Sequence, residues 1–287
     1  MAEITAKSGL FKDTNLHVDD TGGTGRPVVL IHGWPLSGES WKEQVGPLQR
    51  AGYRVVTYDR RGFGRSDKPG KGYDYDTLAD DLFKVIEGLE LVDVTLVGFS
   101  MGGGEVARYL SKYGAGRIHS VVFAGAITPY LLHGPDNPEG PLSKEQAAEF
   151  TARLTADEDE FYDFFTTQFY SVGGDLKVSE KVRQEALTIA KQADKKAALA
   201  AMNSWGTTDF RDDLLQVSVP ALVIHGDGDA LVDYYGSGAR THRAIPGSRL
   251  HVVEGGPHGI NVSHDDEFNE VLIDFLNEAR PVARGDR

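Results

Sequence analysis

Residues 94–114 read VTLVGFSMGGGEVARYLSKYG. A mainly apolar run with the length of a strand leads into a helical pattern stopped by Gly114. Between them stands Gly98-x-Ser100-x-Gly102, followed by Gly103 and Gly104. Glycine costs about 1 kcal/mol against alanine in a helix interior, so glycines crowded at a helix start need a local reason. G-x-S-x-G between a strand and a helix supplies one. It places the serine hydroxyl on a tight, strained turn at the carboxyl end of a sheet, beside a helix N-terminus that favours developing negative charge. Gly98 and Gly102 give clearance where a Cβ would collide. For Gly103 and Gly104 the expectation is close packing at the helix start. A glycine-rich turn with an incidental serine is the plainer alternative, and the strand–turn–helix context argues against it.

The same alternation extends outward. VVLIHG (28–33), RVVTYDRRG (54–62), IHSVVFAGA (118–126), PALVIHGDGD (220–229) and LHVVEG (250–255) read as strands, and NLHVDD (15–20) as an edge strand. Helices are expected over 40–52, 74–91, near 236–244 and over 266–279. The second of these has Leu78, Leu82, Val85, Ile86 and Leu89 on one face. Continuous apolar strands separated by helices predict an α/β fold: a mostly parallel sheet covered on both faces. From 128 to 208 the rhythm breaks and no strand is expected. Ser143 and Gln146 form a capping-box pattern, Asp157 and Ser179 open two further helical stretches, and 195–205 carries a fourth. The block is too long for a loop, so it reads as a helical cap inserted into a core made of 1–127 and 209–280, with 281–287 a frayed tail whose RGD is a chance tripeptide.

Composition narrows the function classes. The 287 residues are 40% hydrophobic and 25% charged, with a formal net charge of −13. That balance repels phosphate, so nucleic acid and anionic membrane surfaces are not expected partners. There is no cysteine, which excludes disulfides, thiolate nucleophiles and cysteine-bound zinc or iron–sulfur sites. MAEITAKSGLF has no signal-peptide pattern, and no apolar run approaches the ~20 residues that span a bilayer; a cytoplasmic protein is expected.

A serine hydroxyl needs a base. Of nine histidines, His17, His119 and His251 fall in strands, His133 in the cap, His242 in a helix, and His264 near the last helix. His32 and His225 sit in His-Gly pairs at strand ends, where a turn role is expected. His258, in GGPHG after the last strand, is on a loop able to reach the carboxyl edge of the sheet, and it is the favoured base. An orienting carboxylate is offered by HGDGD as Asp227 or Asp229, between which the residues themselves do not choose. A calcium site there would need further spaced oxygen ligands, and none follow. For an oxyanion hole, Met101 N–H is one donor, and the loop after VVLIHG points to Trp34 N–H as the other. Pro35 biases Trp34 away from the α region.

Together, VVLIHGWPLSGESW, YRVVTYDRRGFGRSDKP, YDYDTLADDL, VGFSMGGGEVARY, DNPEG, HGDGD and GGPHG resemble the α/β-hydrolase superfamily. Within it they are most similar to the cofactor-free haloperoxidase / aryl esterase branch, which also holds lactamases and perhydrolases. The resemblance implies an eight-stranded, mostly parallel sheet with a helical cap. It implies Ser100 as nucleophile, Asp229 rather than Asp227 as orienting acid, His258 as base, and Trp34 with Met101 as oxyanion hole. A substrate pocket is implied under the cap, with Trp34, Phe165, Phe169, Leu231 and Val232 as expected lining; Phe161 and Phe164 share that apolar cap face. Where the family often carries proline after the aspartate, this chain has Asp233, an acid expected near the pocket mouth.

The implied activity is hydrolysis of small aryl or alkyl carboxylic esters. Hydrogen peroxide would be an alternative acyl acceptor, and the released peracid would oxidise halide off the protein. Neither metal nor cofactor is called for. Pro35 is expected to fix the Trp34 carbonyl in favour of peroxide, so Pro35→Leu should lower the perhydrolysis-to-hydrolysis ratio. Lactone or amide cleavage, and a non-catalytic ligand-binding homologue, are the other readings. A homo-oligomer is compatible with the sequence.

Overall fold

Short apolar runs of Val, Ile, Leu and Phe, each closed by glycine or a polar turn, have the composition of buried strands, and ten strands form among the described residues. The computed structural model describes residues 2–6 and 14–279; the expected tail lies outside them. The strands are β1 (Ala2–Ala6), β2 (Thr14–Asp20), β3 (Pro27–Ile31), β4 (Arg54–Tyr58), β5 (Val94–Phe99), β6 (Ile118–Ala124), β7 (Ser171–Val172), β8 (Asp175–Leu176), β9 (Ala221–Gly226) and β10 (Arg249–Val253). Eight make one sheet in the order β1-β2-β4-β3-β5-β6-β9-β10. Only the β1–β2 and β2–β4 pairings are antiparallel; from β4 to β10 every neighbour is parallel. Successive side chains of a strand point to opposite faces. Every residue of β3, β5, β6 and β9 is buried, so both faces are covered.

Two expectations fail. Residues 15–20 are not an edge, because β1 pairs along β2 from Ala2↔Val18 to Ala6↔Thr14. A five-residue strand with one large apolar residue, Ile4, leaves no periodicity to read. The block read as strandless contains the β7–β8 hairpin. Gly173 and Gly174 turn it at φ +60° and +91°, the conformation that a two-residue hairpin loop demands.

The helices are α1 (Lys42–Arg50), α2 (Tyr75–Gly88), α3 (Met101–Tyr113), α4 (Lys144–Ala156), α5 (Glu158–Phe169), α6 (Glu180–Ala190), α7 (Lys195–Thr207), α8 (Arg211–Leu214), α9 (Gly238–Ala244), α10 (Ile260–Ser263) and α11 (Asp265–Glu278). Local chemistry sets several starts. The Asp74 side chain accepts from Thr77 N, Ser143 and Gln146 form the reciprocal capping box, and Ser179 accepts from Val182 N. α1 packs against α10 and α11, while α3 packs against α2 and α8. Helices α4–α8 lie between β6 and β9. They reach the carboxyl edge of the sheet: Trp34 Nε1 donates to Ala198 O (3.0 Å), and Gly259 N donates to Phe169 O (2.8 Å). Among the described residues no helix is long and apolar enough to cross a membrane.

Candidate active site

β5 ends at Phe99, and Ser100 follows with φ +53° and ψ −118°. That region is costly for any residue with a Cβ. It persists because the surroundings fix it: Ser100 N donates to Ala124 O (2.8 Å), and Gly103 N donates to Ser100 O (3.0 Å). The turn is also crowded. A Cβ on Gly98 would lie 2.5 Å from Gly102 O, and one on Gly102 would lie 2.5 Å from Ile31 O. The close packing expected at the helix start has named partners. A Cβ on Gly103 would lie 2.4 Å from Ala126 Cβ, and one on Gly104 2.6 Å from the rings of Tyr75 and Phe210. α3 is therefore pressed against its neighbours, with Ser100 at its head.

Three residues far apart in sequence meet there. His258 Nε2 lies 2.9 Å from Ser100 Oγ, and its Nδ1 2.6 Å from Asp229 Oδ2. The carboxylate can only accept, so Nδ1 carries the proton and Nε2 is left as the acceptor for the serine hydroxyl. All three residues are buried. Asp229 Oδ1 accepts from Leu231 N (2.9 Å) and Val232 N (2.8 Å). Burial alone would raise the pKa of this carboxyl. The nearby His258 charge and hydrogen bonds from His225 and His258 outweigh it and hold Asp229 well below the usual carboxylate range. Asp227 stands outside this group. It is exposed, and it accepts from Gly255 N (2.7 Å) as a turn residue.

His225, read from the sequence as a turn residue, is instead buried beside the same carboxylate. Its Nε2 lies 2.8 Å from Val232 O and 3.2 Å from Asp229 Oδ2. A carbonyl accepts only, so the single Nε2–H goes to Val232 O and stands at longer range beside Asp229, whose hydrogen-bond donors are Leu231 N, Val232 N and His258 Nδ1. His32 is also buried. Its Nε2 accepts from Arg60 N (2.9 Å), and burial together with the Arg60 charge pushes its pKa down to about 3, which keeps that nitrogen an acceptor. The Arg60 side chain donates Nη2–H to His32 O (2.7 Å) and pairs with Glu105 on α3, whose other oxygen accepts from Tyr58 OH (2.5 Å). Arg60 and Glu105 are almost fully buried. This cluster ties the loop after β3 to the helix that begins at Ser100.

Met101 is the first residue of α3, so its N–H is one of the orphan donors of a helix N-terminus. The backbone of the β3 loop passes close by: a Cβ on Gly33 would lie 3.1 Å from Ser100 Cβ. Trp34 follows, joined to Pro35 by a cis bond.

The space in front of Ser100 is narrow, lined by Ser100, His258, Trp34, Phe165, Leu231 and Val232, together with Ile127, Phe150 and Trp205. The last three were not singled out in the sequence. They come from the strand-end loop, α4 and α7, and only the fold brings them together. Phe169 does not line this space. Its ring stands edge-on to His258 at 4.9 Å and beside Phe99 at 5.9 Å, walling the imidazole from behind. Phe161 and Phe164 pack with Phe150 inside the insertion. Asp233 is exposed and outside the lining; its carboxylate accepts from Gly236 N (2.7 Å) and closes the turn between them. Among the described residues no group of three or more His, Asp or Glu is arranged to hold a metal ion.

A family model described as the alpha/beta hydrolase fold matches residues 26–265. The chain belongs to that family. This α/β hydrolase is 39% identical to the non-heme chloroperoxidase CPO-A1 of Kitasatospora aureofaciens, over 89% of this chain and 94% of that one. It is 32% identical to a bifunctional esterase/perhydrolase of Acinetobacter calcoaceticus, over 96% and 99% of the two chains. Among solved structures, bromoperoxidase from Bacillus anthracis superposes with a TM-score of 0.92 at 49% identity, covering 96% of this chain and 99% of that one.

Proposed function

We propose that this α/β hydrolase cleaves small carboxylic esters through an acyl-serine intermediate, and that hydrogen peroxide can replace water as the acyl acceptor. The observation that carries the reading is the buried Ser100–His258–Asp229 hydrogen-bond chain at the base of an apolar pocket. Ser100 Oγ attacks the ester carbonyl while His258 Nε2 takes its proton. Asp229 holds the imidazole in the required tautomer and stabilises the imidazolium. The oxyanion is received by Met101 N–H and Trp34 N–H. His258 then returns the proton to the departing alkoxide, which leaves as the alcohol. In the second half-reaction water, activated by the same base, gives the carboxylic acid and free Ser100; peroxide gives the peracid. A peracid released near halide transfers one oxygen to it, forming hypohalous acid and the carboxylate. The names of the relatives, chloroperoxidase and esterase/perhydrolase, support both branches. Residues 128–208 act as the cap that closes the pocket, a role supported by Phe150, Phe165 and Trp205 in its lining.

The test is covalent. A fluorophosphonate should label Ser100, and the label should vanish in Ser100→Ala. p-Nitrophenyl acetate should be hydrolysed, and acetate with peroxide should yield peracetic acid that brominates a reporter dye. Absent labelling, with no ester turned over, refutes the hydrolase reading. Ester turnover without peracid refutes only the peroxide branch.

A further inference from the structure

A backbone N–H has no rotamer of its own, so something else must aim the Trp34 N–H. That group sits on the peptide joining Gly33 to Trp34. Among the described residues the cis bonds are Trp34–Pro35 and Thr128–Pro129, so the Gly33–Trp34 link is trans. A trans peptide is planar, and its C=O and N–H point in opposite directions. Whatever grips the Gly33 carbonyl therefore sets where Trp34 N–H points.

Two donors grip it. Leu36 N donates to Gly33 O (3.1 Å), and His32 Nδ1 lies 2.8 Å from the same oxygen. The other nitrogen of His32 decides its tautomer. The backbone N–H of Arg60 can only donate, so Nε2, 2.9 Å away, accepts, and in the neutral ring Nδ1 carries the proton. Arg60 Nη1 lies 3.3 Å from Nδ1, but a guanidinium has no acceptor, so that proton goes to Gly33 O. The ring is fully buried and stands edge-on to Phe63 at 6.0 Å, which leaves it no room to swing away.

The far edge of the same peptide points to a ligand. Trp34 is buried, and among the described residues no group accepts from its backbone N–H. Buried N–H groups without an acceptor are rare. A Cβ on Gly33 would lie 3.1 Å from Ser100 Cβ, so the peptide passes beside the serine that would bond to a substrate carbonyl.

We propose that His32 is a positioning residue of the oxyanion hole: its Nδ1–H holds the Gly33 carbonyl and thereby aims Trp34 N–H at the tetrahedral oxyanion. Arg60 N contributes by fixing the tautomer. This rests on the ester-hydrolase reading above. The oxyanion exists only as the reaction proceeds, so the effect falls on kcat and spares KM.

The experiment compares His32→Asn with His32→Gln, both confirmed as folded by thermal melts. The asparagine amide N–H comes near the place of Nδ1 and can donate to Gly33 O. The glutamine amide oxygen comes near the place of Nε2, so it can accept from Arg60 N but leaves Gly33 O without its side-chain donor. With p-nitrophenyl acetate, His32→Gln should lose about ten- to hundredfold in kcat, less than the roughly 10²–10³ for deleting an oxyanion donor outright. Its KM should stay near that of wild type. A trifluoromethyl ketone, which forms an oxyanion on the nucleophile, should lose affinity by the same factor as kcat. His32→Asn should recover most of both. An asparagine variant no faster than the glutamine variant overturns the assignment. Imidazole ¹⁵N NMR of the wild type requires no variant to fold: a protonated Nδ1 with a bare Nε2 is expected, and the opposite tautomer overturns the assignment as well. A wild type that turns over no ester and takes no fluorophosphonate label overturns the hydrolase reading instead.

Discussion

Replacing Arg60 by methionine should cost far more stability than its single charge suggests. Arg60 is 1% exposed and Glu105 0%, and the guanidinium also holds His32 O at 2.7 Å. In Arg60→Met the Glu105 carboxylate stays buried with only Tyr58 OH as a donor, and the His32 carbonyl loses its partner. Removing one member of a buried pair typically costs about 3–5 kcal/mol, because the other charge is left uncompensated. A chain of this length has an unfolding entropy on the order of 0.6 kcal/mol/K, so the loss corresponds to roughly 5–8 °C in Tm.

The double variant Arg60→Met/Glu105→Leu removes both charges and should recover to within about 2 kcal/mol of wild type, since apolar replacements of buried pairs are often neutral. The single variant also has a pH signature. Burial already raises the Glu105 pKa, with Arg60 opposing it, and without Arg60 it rises further. A carboxyl whose folded pKa exceeds its unfolded value loses stability as pH rises, so the deficit of Arg60→Met should be largest near pH 8 and shrink toward pH 5. Urea unfolding at both pH values measures all of this. A single variant within 1 kcal/mol of wild type, or a double variant less stable than the single, would refute the reasoning.

Three further outcomes are expected. His225→Leu should lower kcat/KM about tenfold, because the buried Nε2–H held by Val232 O beside the Asp229 carboxylate is lost. His225→Gln, whose amide reaches the place of Nε2, should restore it, and equal damage in the two variants would show a purely structural role. Asp229 has a depressed pKa, so its ionisation stabilises the fold above the ordinary aspartate pKa and that contribution is lost as pH falls. Wild type should therefore lose more stability than Asp229→Asn between pH 5 and pH 2 in urea titrations; parallel curves would contradict the assigned environment. Gly103→Ala should destabilise by up to about 2 kcal/mol. Its Cβ would lie 2.4 Å from Ala126 Cβ, and overpacking of about 1–3 kcal/mol exceeds the helix-propensity gain of about 1 kcal/mol. A stabilised variant in thermal melts would mean that the contact relaxes.

The parallel sheet and the serine turn were legible because each depends on neighbours in sequence. Apolar runs such as 94–99 and 118–124 announce burial on both faces, and the glycines around Ser100 announce crowding. What was not legible depends on partners. Strand β2 reads as an edge because nothing local tells that five weakly patterned residues will pair with it. His225 and His32 each sit before a glycine at a strand end, and their sequence contexts are nearly the same. Only packing reveals that one faces Asp229 and the other Arg60. Asp227 and Asp229 differ by two positions, yet one is exposed in a turn and the other is buried against His258. Phe150, Phe165 and Phe169 share an aromatic-rich insertion, and which of them line the pocket is decided by how α4 and α5 cross the sheet edge.

Strands β6 and β9 are ladder neighbours, Val121 with Ala221 through Ala124 with Ile224, although residues 125–220 intervene. Closing a longer or shorter loop there changes the chain-entropy cost by only about 0.6 kcal/mol per doubling. The sheet is therefore nearly indifferent, thermodynamically, to how much chain is threaded between these strands. Biosynthesis is not indifferent. At about 5–20 residues per second, β6 waits roughly 5–20 s for its partner, presenting an open, apolar edge of the kind that seeds misassembly. In the half-finished chain β6 therefore has no parallel neighbour on that side, and its edge is covered only once Ala221–Gly226 has emerged.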